Sequence, residues 1–187
     1  MPYGYYNGLN HRQKRIYQES DRVWALPLPD SAALQPLALK IQAALDSGRL
    51  DRTQKWSQAL LHAITLQLGI RPIRLELLDV RPSNSKMELH GLYYPTEGRT
   101  LPRMKLWMRT AKRRQVVAFK TFLRTLLHEV CHHLDYECLK LKDSFHTEGF
   151  LRRESSLVQQ ILPPVVPISH SRRAKAHLNK MPTTKAV

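Results

Sequence analysis

The period of the apolar positions changes along the chain, dividing it into helical, extended and again helical stretches. From Leu9 to Ser20 apolar and basic residues recur at loose helical spacing. Leu26-Pro27-Leu28-Pro29 reads as an extended connector, because each proline disfavours helix in the residue before it. Asp30 or Ser31 can cap a helix that runs through Pro36 to Asp46, with Pro36 in the first turn and Gly48 at the stop. Asp51 opens the next helix, in which Trp56, Ala59, Leu60, Ala63 and Ile64 share one spacing and Gly69 closes the run.

After Arg71-Pro72 the alternation shortens to every second residue. Ile73, Leu75 and Leu77 alternate with Arg74 and Glu76, the pattern of a half-buried strand. Arg81 to Ser85 is turn-rich, a second strand is expected over Glu88 to Tyr94, and Pro95 to Gly98 turns the chain. A third strand covers Met104 to Met108, either inside the sheet or pairing with an extended substrate at its edge. The longest helical pattern then runs from Gln115 to Cys138, and a further helix from Thr147 to Ile161 ends at Pro163, Pro164 and Pro167. The expected architecture is a single α+β domain over residues 1–166. It has N-terminal helices, a small antiparallel sheet, a long helix and a following one. Residues 167–187 form a basic, mobile tail.

The long helical pattern carries the chemistry. Val116, Phe119, Leu123, Leu126, Leu127, Val130 and Leu134 fall in one broad apolar sector, and His128 and His132 lie nearly opposite its centre. Four residues apart on a helix, the two imidazoles sit one turn from each other and can bind one zinc ion. Glu129, beside the first, is placed to accept a proton from a zinc-bound water. A catalytic zinc needs a third protein ligand and an open position. Asp143 is one downstream acid. Asp135, three residues after His132, is too short to converge on the same metal and suits a supporting or surface role. His146, delivered by a returning loop, is the favoured ligand, followed by Glu148 and then Glu154. His133 points off the ligand face and reads as structural. Such a site hydrolyses peptide bonds in a protein or peptide substrate.

Charge adds a second theme. The chain has 30 Lys+Arg against 15 Asp+Glu, a formal net charge of +15. Between Gly98 and His128 no acid occurs among nine basic residues, and none follows Glu154. That clustering suits a polyanion, with nucleic acid such as DNA first and ribosome or acidic protein behind it. No stretch is long and apolar enough to span a membrane, and the first residues lack the pattern of a signal peptide, so a cytosolic location is expected. Cys131 and Cys138, seven apart on one helix, are expected to be reduced. Oligomeric state has no signature in the sequence.

Leu126-Leu127-His128-Glu129-Val130-Cys131-His132 and His146-Thr147-Glu148-Gly149-Phe150 together resemble the SprT-like zinc metallopeptidases. The likeness covers about Leu89 to Leu157, and Gly91-Leu92-Tyr93-Tyr94 and Met104-Lys105-Leu106 resemble that family's strands before the HExxH helix. The resemblance implies a zincin-like fold, His128, His132 and His146 as zinc ligands, and Glu129 as catalytic base. It also implies a substrate among DNA-associated proteins, since some members cleave proteins crosslinked to DNA. Two departures stand out: the glycine that often follows the third histidine comes here at Gly149, and the chain has no CxxC pair of a zinc ribbon. Two rival functions differ in class. One is a non-catalytic nucleic-acid-binding protein with a vestigial metal site, against which the intact Glu129 argues. The other is a regulatory zinc peptidase with one specific protein target.

Overall fold

In the computed structural model, residues 3–82, 89–96 and 98–162 are described. Five α-helices and three strands follow in the order α1 (His11–Asp21), α2 (Gln35–Asp46), α3 (Leu50–Gln67), β1 (Arg74–Val80), β2 (Gly91–Tyr94), β3 (Arg103–Arg109), α4 (Phe119–Glu137) and α5 (Glu148–Ile161). The α+β class expected from the pattern is the observed one. The start of the second strand at Glu88, the Ser83–Ser85 turn and the basic tail lie outside the described residues.

Local chemistry explains most boundaries. Asn10 and Gln13 close a reciprocal capping box at the start of α1. Asp30 accepts the Ala33 amide at a short 3-10 turn before α2, and Pro36 sits in the first turn of α2 itself. Thr147 caps α5 by accepting the Phe150 amide at 2.9 Å. The long helix starts later than its apolar pattern suggests, at Phe119 rather than Gln115. Val116 instead bridges back to Arg109, and the Val117 amide donates to the Met108 carbonyl. These β-branched residues extend the sheet before the helix begins.

The sheet is mixed, not antiparallel. Its order is β1-β3-β2, with β3 parallel to β1 and antiparallel to β2. The segment Met104–Met108 is therefore the central strand, and both of its edges are taken. It cannot pair with a substrate; among the described strands, β2 lies at the sheet's other edge. On the inner face Leu75, Leu77, Met104 and Leu106 join Phe122, Leu126, Leu127 and Val130 of α4, together with Ile41, Leu45, Leu60 and Ile64 of α2 and α3, in one buried core. Burying each such side chain contributes roughly 1.5–3 kcal/mol. The net effect is to clamp α4 between the sheet and α5.

The outer edge of β1 is closed without a fourth strand. Gln54 and Gln58, one turn apart on α3, present side-chain amides to it. Gln58 donates to the Ile73 carbonyl and accepts from the Leu75 amide, at 2.9 and 2.8 Å. Gln54 donates to the Leu75 carbonyl and accepts from the Leu77 amide, at 2.8 and 2.7 Å. The two amides supply the donors and acceptors of a neighbouring strand.

Candidate metal centre

Helix α4 sets His128 and His132 one turn apart, and the loop between α4 and α5 brings His146 over them. His146 Nε2 lies 3.0 Å from His128 Nε2 and 3.1 Å from His132 Nε2. Three nitrogens around a tetrahedral zinc at 2.0–2.1 Å would stand roughly 3.3 Å apart, so the spacing fits one small cation. The three residues could hold a metal ion, and they are the one group with such spacing found among the described residues. Phe150, fully buried on α5, supports all three rings, at centroid distances of 5.0, 4.8 and 5.1 Å.

The opposite ring nitrogens decide which atoms face inward. Nδ1 of His128 donates to Glu154 Oε2 at 2.9 Å, and the other oxygen of Glu154 accepts from Arg124 at 2.8 Å. Nδ1 of His132 donates to Ser144 Oγ at 2.8 Å, whose own proton goes to Asp135 Oδ2 at 2.7 Å. Asp135 is fully buried and ion-paired at 2.6 Å with the equally buried Arg153. The Arg153 guanidinium also donates to the Ser20 carbonyl and hydroxyl at the end of α1. With their Nδ1 protons so engaged, both α4 histidines direct an Nε2 lone pair towards His146, the tautomer that a metal ligand requires. Burial, with the neighbouring His128 and His146, pushes the His132 imidazole down to about 3, and burial lowers that of His146. Neutral imidazoles are the form that binds metal.

Of the alternative third ligands, Glu154 supports His128 rather than taking the position of His146. Glu148 is exposed at the start of α5 and pairs with Arg152. Asp135 supports His132 through Ser144, while Asp143 accepts the Ser144 amide through its side chain. His133 is buried away from the cluster, donating to the Arg71 carbonyl and accepting from the Tyr93 hydroxyl.

Glu129 faces the cleft beside the histidines, against the backbone of β2. A Cβ on Gly91 would lie 2.3 Å from Glu129 Oε1, so only glycine lets the carboxyl occupy this place. Burial raises the Glu129 carboxyl to about 7, with the charge of His128 opposing. The cleft, about 330 Å³, is walled by Leu92, Tyr93 and Pro95 on the strand side and by Tyr136 and Ser144 on the helix side. It can bring a metal, a base and an extended chain together.

Several contributors left no mark in the sequence pattern. Tyr5, near the N-terminus, donates to the His146 carbonyl at 2.9 Å and steadies the loop carrying that histidine. Gly149 has the Asp21 carbonyl 2.4 Å from where a Cβ would be, so α1 and α5 meet there through bare backbone. That close approach gives a physical reason for a glycine at this position. Both cysteines are free, Cys131 buried and Cys138 half-buried. Among the described residues no helix is long and apolar enough to cross a membrane. A scan against protein-family models finds no match, and searches of curated proteins and of solved structures find none either.

Proposed function

We propose that this chain is a zinc-dependent endopeptidase similar to the SprT-like metallopeptidases, with His128, His132 and His146 as ligands and Glu129 as catalytic base. One observation carries the reading. Three imidazole Nε2 atoms converge within ligand distance beside a carboxylate, in a cleft bordered by a sheet edge. Three protein donors are the set of a catalytic zinc, whereas structural zinc sites close with four. Zinc held by these three imidazoles would supply a Lewis acid that acidifies a bound water and polarises a carbonyl. Glu129 takes a proton from the attacking water and passes it to the departing amine. The outer edge of β2 aligns an extended peptide by backbone pairing, which brings its peptide planes past Gly91 and the Glu129 carboxyl. Glu154 and Ser144 keep the α4 imidazoles from rotating or changing tautomer. The net charge of +15 favours a substrate in acidic surroundings, DNA-associated protein being one such class.

Protein purified after zinc-replete expression should carry about one zinc per chain. Glu129→Gln should keep that zinc and cleave casein at least about 10²-fold more slowly than wild type. Elemental analysis showing no metal, or full cleavage by the variant, overturns the reading.

A further inference from the structure

A second cavity, about 540 Å³ against about 330 Å³ over the histidines, is lined by Arg74, Tyr94, Pro95, Thr100, Leu101 and Arg103. Arg74, Arg103 and Tyr94 are register partners across β1, β3 and β2. They form one row on the sheet face opposite Tyr93 and Gly91, since side chains alternate along each strand. The Arg103 guanidinium stands 4.6 Å from the centroid of the Tyr94 ring, so its charge is carried from the central strand out over β2.

Counter-charges separate this row from the rest of the sheet. Farther along β3, Lys105 is paired with Glu76 at 3.2 Å and Arg109 with Asp79 at 2.9 Å. Arg74 and Arg103 have no side-chain ion pair or hydrogen bond with any described group. Pro95, just past the end of β2, lines both cavities, so the two meet around the end of that strand from opposite faces of the sheet. From Gly91, against Glu129, to Tyr94, under Arg103, is three residues of strand, roughly 10 Å.

We infer that Arg74 and Arg103, over Tyr94, form a subsite for an acidic side chain of the peptide substrate, two to four residues from the cleaved bond. This rests on the peptidase reading above. A chain added to the edge of β2 places alternate side chains on the outer face beside Tyr94, within reach of the Arg103 guanidinium over that ring, with the charge of Arg74 behind it. Guanidinium groups bind carboxylates through paired charge-assisted hydrogen bonds. A single-stranded nucleic acid is a poorer occupant, because it needs free aromatic faces for stacking and Tyr94 is already covered by Arg103.

The test uses zinc-loaded protein and short peptides that carry Glu, Gln or Lys at one position at a time, with cleavage mapped by mass spectrometry. Wild type should prefer Glu about tenfold in kcat/KM at one position two to four residues from the cut. Arg74→Ala/Arg103→Ala should lose that preference, and Arg74→Glu/Arg103→Glu should turn it towards Lys at the same position. Because the readout is a ratio within each enzyme, a general loss of activity does not imitate it. Cleavage by wild type without that preference, or a preference that survives in the double variants, overturns the subsite. Anisotropy of the same labelled peptides on Glu129→Gln protein gives a second readout. Arginine-dependent binding of the Glu peptide with no cleavage by wild type would keep the subsite and sink the peptidase reading alone. Labelled oligothymidylate whose binding needs both arginines, when the Glu peptide's does not, would overturn the subsite in favour of nucleic acid.

Discussion

Along β1 the outward backbone groups of Ile73, Leu75 and Leu77 end in the amides of Gln54 and Gln58, whereas no described strand pairs with the outer side of β2. The two edges belong to one small sheet, and a bare edge is a template for unwanted pairing. Here the edge remote from the histidines is closed by two side chains from a neighbouring helix. The edge beside them, short and followed by Pro95, has no such cover among the described residues. The difference teaches that side-chain amides alone can close one edge of a mixed three-stranded sheet.

The largest effect on turnover is expected on the open side. Gly91→Ala puts a methyl group where Glu129 Oε1 now sits. The carboxyl is the flexible partner and must move, so kcat for casein cleavage should fall about 10²-fold while thermal stability changes little. Wild-type turnover by this variant would break the link between the β2 edge and the base. Ser144→Ala is next, because it removes the acceptor that holds His132 in its ligand tautomer. Zinc affinity, measured by competition with a chelator, should weaken about 10–100-fold. Unchanged affinity would mean that packing on Phe150 alone orients the ring. On the closed side the effect is on the fold. Gln54→Leu leaves the Leu75 carbonyl and the Leu77 amide without their partner. Stability in urea should drop by about 1–3 kcal/mol, with zinc content unaltered. A neutral result would show that water satisfies the β1 edge once the glutamine is gone.

Burial also has a direct consequence on α5. Arg153 is fully buried and joins Asp135 to the end of α1, so Arg153→Met leaves a buried carboxylate without its counter-charge. A loss of about 3–5 kcal/mol is expected for breaking such a pair from one side, read by the urea midpoint. This places the foundation of His132 partly in α1, far away in sequence.

Much of this was legible from residue spacing. The i, i+4 placement of His128 and His132 opposite an apolar sector is a property of any helix, and the alternation in Ile73–Leu77 and Met104–Met108 is that of any half-buried strand. Those statements need only local geometry, and local geometry is what a short window of sequence contains. Strand order is different. The parallel pairing of β1 with β3, which made Met104–Met108 central and left β2 at an edge of the described sheet, depends on which segments pack together. Alternation does not record it. The same holds for the choice among His146, Glu148 and Glu154. Each lies within one stretch of chain, but a capped helix start at Thr147 turns His146 towards α4, points Glu148 to solvent and sets Glu154 behind His128. In the sequence, nothing sets Gln54 and Gln58 apart from other polar positions of a helix, or Gly91 from other glycines. Their roles come from backbone that approaches from elsewhere in the chain, and only the tertiary structure brings that backbone within hydrogen-bond or contact distance.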